Sequence, residues 1–184
     1  QSFDSAAERA FENLSAHIAR ASAAAPDHRS YDARSPYPIW HVARNDSYET
    51  SRLALPGYLA SFADKVEGKP IAIVPHRGQL IISGDAHSEA VLRLAHLAEQ
   101  EFQASPRAVS PALYTVDAEG SATPYRTLPG HPQYSLVERG HYLLALACYA
   151  DGGFVAAGDR VAVGAGRWTG PGHSLHRLCR QCRR

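Results

Sequence analysis

Pro70-Ile71-Ala72-Ile73-Val74-Pro75-His76-Arg77-Gly78-Gln79-Leu80-Ile81-Ile82-Ser83-Gly84-Asp85 is the stretch whose reading decides the fold. Two short runs rich in β-branched residues flank a Pro-His-Arg-Gly segment, and turn-forming residues bound them on either side. Residues 71–74 and 80–83 are predicted to pair antiparallel around a turn at 75–78. The return run shows little alternation of apolar and polar residues, so both of its faces are expected to be covered.

Working outward, residues 88–104 place Val91, Leu94, Ala98 and Phe102 on one helical face, with Glu89, Arg93, Glu99 and Gln103 on the others. Asp85 or Ser88 is the expected N-cap, and Ser105-Pro106 stops the helix. Residues 113–116 read as a strand closed by the turn Asp117-Ala118-Glu119-Gly120. Upstream, Ser5-Ala6-Ala7-Glu8 fits a capping box, and Ala7, Phe11, Leu14 and Ile18 continue at helical spacing towards Ala24. Residues 26–38 read as an irregular connection, 39–43 as a short strand, and 53–65 as a helix with Pro56 in its first turn. Ser135-Leu136-Val137-Glu138 is a second capping box, opening an apolar helix to about Tyr149. Residues 154–163 read as a second hairpin. The fold class is therefore α+β: an antiparallel or mixed sheet built around a central β-hairpin, with helices packed on it, in one domain over 1–169.

The 184 residues carry a net charge of +1 that conceals an asymmetry: residues 160–184 hold six arginines and no acid, which leaves residues 1–159 at −5. A mildly acidic body with a basic tail, expected to be poorly ordered over 170–184, is not the footprint of a dedicated nucleic-acid binder. No apolar run reaches the roughly 18 residues of a membrane span. Three cysteines, Cys148, Cys179 and Cys182, leave one without an intrachain partner, which points to a reducing, cytoplasmic setting.

Three segments of this chain resemble the YtpQ-like family of uncharacterised bacterial proteins. Asp46-Ser47-Tyr48-Glu49-Thr50-Ser51-Arg52-Leu53 is similar to that family's acidic-x-Tyr-x-x-Ser-Arg segment. Val74-Pro75-His76 followed by Leu80-Ile81-Ile82 is similar to its Val-Pro-His turn and return strand, and Ser110-Pro111-Ala112-Leu113-Tyr114 to the strand after its helix. The resemblance covers about residues 46–125 and implies a bacterial α+β protein, with no catalytic residue, substrate or cofactor to carry over.

Chemistry is sparsely signalled. His76 and Arg77, at the hairpin turn, are the candidate binding residues: arginine offers a rigid fork of donors, and histidine changes charge near neutral pH. The same positions also suit a purely geometric role, with Pro75 and Gly78 shaping the turn. Cys148 sits in an apolar run where a buried, inert thiol is expected. His87 and His96 share a helix but point to opposite sides. His173, His176, Cys179 and Cys182 are the one set with zinc-type residues in sequence. Steps of three residues fan these side chains across a helix, and no loop separates the two pairs, so no metal or other cofactor is expected and zinc is the alternative. The leading function is a non-enzymatic protein-binding or regulatory module, with another protein as its partner and no membrane or nucleic acid. The alternative is an enzyme, a metal- or His-dependent hydrolase assembled from distant residues such as His41, His76, Asp46 and Arg52. A chain ending at Thr169 is expected to melt within a few degrees of the full chain, because a zinc site would contribute far more. Calorimetry of both chains, with and without a chelator, checks this.

Overall fold

The computed structural model describes residues 3–22, 28–42 and 48–151. Its centre is the hairpin, formed by β3 (Pro70–His76) and β4 (Leu80–Gly84). Pairing runs from Pro70↔Gly84 to Ile73↔Ile81, the predicted register. The predicted final pair of Val74 with Leu80 is not made. Pro75 has no N–H to contribute, and beyond Ile73 the strand follows its other neighbour instead. The turn therefore occupies residues 77–79, and Pro75 and His76 belong to β3.

Four further strands extend the sheet: β1 (His28–Ser30), β2 (Trp40–Val42), β5 (Ala108–Val116) and β6 (Ala122–Pro124). The order is β1-β2-β4-β3-β5-β6, and every neighbouring pair is antiparallel. β1 falls inside a segment read from sequence as irregular, since three polar residues carry no periodic signal. The β5–β6 turn is as expected: Asp117 Oδ1 accepts from the backbone N–H groups of Glu119 at 3.1 Å and Ser121 at 2.8 Å. Between Ile73↔Leu113 and Val74↔Ser110 the register steps, leaving Pro111 and Ala112 bulged out of the ladder. The bulge folds Ser110 back, so that its hydroxyl lies 2.8 Å from that of Tyr114 and accepts from the Ala112 N–H at 3.1 Å.

Each face of the sheet has its own apolar cluster. On one, Ile71, Ile73, Ile81 and Leu113 meet Val91, Leu94, Ala95 and Ala98 of α2 (Ser88–Ala104) and Val137 of α3 (Tyr134–Asp151). On the other, Val42, Ala72, Val74, Leu80 and Ile82 meet Leu53, Leu59 and Phe62. All five residues of β4 are buried, as its missing alternation implied. The second face is covered by two 3₁₀ segments, Thr50–Ala54 and Ala60–Lys65, where the sequence predicted one α-helix. Pro56-Gly57 divides them, and the Gly57 N–H is committed to the Gly120 carbonyl at 2.9 Å.

The helix ends differ from the cap readings. The N-cap of α2 is His87, because Asp85 is engaged elsewhere: its Oδ1 accepts from the Lys69 N–H at 2.7 Å and its own N–H donates to the Lys69 carbonyl. That turn needs Gly84, where a Cβ would collide with the Glu67 backbone. α1 (Phe3–Ser22) begins before Ser5, and α3 begins before Ser135, so neither box is the helix start. The Gln133 carbonyl accepts the N–H groups of Leu136 and Val137, and Glu138 is drawn into an ion pair with Arg126 at 2.8 Å. On α1, Ile18 is buried but Phe11 is exposed, so the predicted apolar face is only partly covered.

Leu94 is 1% exposed, at the centre of the first cluster. Leu94→Ala is expected to cost about 2–5 kcal/mol, measured by urea unfolding, as lost burial plus a residual cavity.

Candidate functional site

Three distant segments meet where the hairpin turns. Val74-Pro75-His76 ends β3, Tyr48-Glu49-Thr50-Ser51-Arg52 crosses beside it, and Ser110 of the bulge pairs with Val74. Thr50 joins the first two, its hydroxyl donating to the His76 carbonyl at 3.2 Å.

The turn itself is held from several directions. The Arg77 N–H donates to the Arg107 carbonyl at 3.1 Å, and the Gln79 N–H donates to the His76 carbonyl at 3.2 Å. His76 Nδ1 reaches the Arg77 carbonyl at 2.9 Å, which makes Nδ1 the protonated nitrogen of the ring. His76 Nε2 lies 3.9 Å from Glu101 Oε2 on α2. Gly78 takes a left-handed conformation, φ +89°, that a residue with a side chain would resist.

His76 and Arg77 thus part company. Arg77 is exposed, as predicted. His76 is not: it is half-buried, because β3 carries it one residue further than the sequence suggested and sets it against α2. The adjoining segment buries two charged residues, Glu49 at 1% and Arg52 at 0% exposure, and the Glu49 carboxylate lies beside Gly78 of the turn. The Arg52 N–H donates to the Tyr48 carbonyl at 3.1 Å, and the Arg52 carbonyl accepts from Leu55 at 3.1 Å, so its backbone is locked as well. Complete burial of an arginine and a glutamate is costly unless each is satisfied, and both persist here at the sheet end.

His41, on β2, stands opposite Arg29 on one side and Ile81 on the other. Burial holds its imidazole below the ordinary value; Arg29 adds to this, the Glu49 carboxylate opposes it, and His76 adds a little more. Tyr31 meets the ring edge-on at 6.0 Å between centroids. Among the described residues, His41 Nε2 and Gln79 Oε1 are buried atoms without hydrogen-bond partners. Of the four residues named for the enzyme alternative, His76 acts weakly through space on His41, and Arg52 is buried two residues on from Thr50. Asp46 lies outside the described residues. Glu49, the acid that does reach His41, was missed. Its signal was the spacing to Arg52, an acid and a base three residues apart beside an apolar run.

Other candidates separate. His87 stacks on Tyr37 at 5.6 Å and sits 2.7 Å from Glu67, whereas His96 is exposed on α2. Cys148 is exposed, against the expected buried thiol. The apolar stripe of α3 runs through Val137, His141 and Leu144 to Cys148, but its cover thins from buried to half-buried before the stripe ends. His173, His176, Cys179 and Cys182 lie outside the described residues, as does the hairpin read at 154–163. Among the described residues no group of three or more His, Cys, Asp or Glu is placed to hold a metal ion. Among them, too, no helix is long and apolar enough to cross a membrane. No family model, curated protein or solved structure matches the chain.

Two histidines, the half-buried His41 and the buried His141, couple the fold to pH. His141 donates from Nε2 to the Tyr125 carbonyl at 2.9 Å, and burial lowers its pKa despite that bond, as it does for His41. A histidine whose folded value lies below 6.5 takes its proton more readily when unfolded. Its contribution is therefore complete above 6.5 and drains as the pH falls through and below that value. The carboxylates held low by arginines, Asp32 by Arg93 and Glu99 by Arg139, lose theirs only in the more acidic carboxylate range. The melting temperature is thus expected to fall between about pH 7.5 and 5, and His41→Asn with His141→Gln to flatten that limb. Thermal melts across this range read the effect.

Proposed function

We propose that this domain is a protein-binding or regulatory module of a bacterial cytoplasm, akin to the YtpQ-like proteins, and that it meets its partner through the β3–β4 turn. The observation that carries the reading is a turn braced on all sides that sends Arg77 outward. The Arg77 N–H donates to the Arg107 carbonyl, the Arg77 carbonyl accepts from the His76 ring within the turn, and the His76 carbonyl accepts from the Thr50 hydroxyl. A contact loop held in one conformation loses little entropy on binding, which is where preorganisation helps affinity. The three segments that resemble the family adjoin at this end of the sheet, so the likeness and the candidate surface coincide.

The alternative, a His-dependent hydrolase, is supported by the charges of Glu49 and His76 acting on the His41 imidazole. The two readings respond differently to substitution: His41→Ala would abolish a hydrolytic activity, whereas the contact surface does not include it.

Replacing His76 and Arg77 together by Ala is expected to preserve the fold, seen by circular dichroism, and to weaken capture of a partner from cell extract by immobilised protein. Unchanged capture would return the turn to plain geometry.

A further inference from the structure

The pairing of β3 with β5 runs through His76↔Ala108, and the next bond outward is Arg77 N–H to Arg107 carbonyl. That bond sets the backbones of Arg77 and Arg107 side by side just beyond the end of the ladder, both residues exposed. Both residues lie in turns just past the last strand pair, and like charges on directly hydrogen-bonded backbones repel at this range. Three other arginines are neutralised, Arg93 by Asp32 at 2.6 Å, Arg126 by Glu138 at 2.8 Å and Arg139 by Glu99 at 2.6 Å, whereas exposed Arg29 and Arg34 show no ion pair among the described residues and stand apart from each other. Among the described residues, Arg77 and Arg107 have no carboxylate partner. Glu101 faces His76.

We propose that Arg77 and Arg107 form a two-guanidinium clamp for an acidic segment of a partner protein. This rests on the binding-module reading and gives that partner a chemistry. Two adjacent forks can each take a carboxylate through paired N–H···O bonds, which removes the repulsion between them at the moment of binding. The backbone of both residues is anchored, Arg77 as described and Arg107 by its N–H to Ser105 Oγ at 3.1 Å, so the forks stand on a rigid base. A body carrying −5 over residues 1–159 repels an acidic segment in general. Attraction is then local to the clamp, and the clamp selects where the partner docks.

The test uses the full chain and an oligoglutamate peptide of about ten residues as probe, followed by fluorescence anisotropy and by backbone amide shifts. Binding is expected at low salt, with the largest shifts at residues 76–79 and 105–108, and to weaken severalfold as ionic strength rises past the screening range. Arg77→Glu with Arg107→Glu is expected to weaken it at least about tenfold, while Lys69→Glu, an exposed cation away from the clamp, leaves it unchanged. Equal binding by the double reversal, or equal loss in the Lys69 variant, overturns the clamp. So does inorganic phosphate displacing the peptide at equal charge concentration, since that marks a small-anion site. The same double variant is then used for capture from extract. A partner retained by it sinks the clamp and leaves the module reading intact. Failure of wild-type protein to capture any partner sinks the module reading, and the peptide titration still judges the clamp.

Discussion

The whole architecture hangs on β3, a strand paired along both edges and buried on both faces. It bonds β4 on one side and β5 on the other, and its side chains alternate between two separate apolar clusters. Ile71 and Ile73 enter the cluster under α2 and α3, and Ala72 and Val74 enter the one under the 3₁₀ segments. Each fully buried aliphatic side chain contributes about 1.5–3 kcal/mol, so a single strand ties both layers into one cooperative unit. A shift of one residue would exchange the two sets, which is why the register is so strongly specified.

The candidate surface is a by-product of how that central strand ends. Pairing with β4 stops at Ile73, yet pairing with β5 continues past the two-residue bulge to Ala108. The strand therefore overshoots its hairpin partner, which sets His76 against Glu101 and brings Arg77 level with Arg107. Glu49 sits beside Gly78 of the turn, and the Thr50 hydroxyl clips the His76 carbonyl. Bulges recur beside functional surfaces because they redirect side chains that a regular ladder would alternate. Here the bulge also brings the Ser110 and Tyr114 hydroxyls together, four residues apart on one strand.

Elements with strong local signals were legible in advance. The hairpin register, the span of α2, the Asp117–Gly120 turn and the double-sided burial of β4 all follow from periodicity and turn chemistry. Readings that depended on a single polar side chain fared worse. Ser5, Ser135 and Asp85 had the residue type of a cap, but a cap is decided by which donor lies nearest. Asp85 found the Lys69 N–H across the turn. The pieces at 50–65 kept helical hydrogen bonds only in short 3₁₀ runs, because Pro56-Gly57 intervenes and Gly120 competes for a backbone donor.

Of the candidate site, His76 and Arg77 could be named from their place in a turn, and His41 and Arg52 from residue type alone. The amino-acid sequence by itself determined an α+β fold around a hairpin, since hydrophobic spacing and turn residues act over a few neighbours. Only the tertiary structure decided that Glu49 and Arg52 are buried, that His76 turns to α2, and that the backbone of Arg107 lies beside that of Arg77, thirty residues away. The reason is physical: these relations are set by the offset between strands and by a bulge. Both arise from packing two layers against one sheet, and neither leaves a periodic trace in the chain.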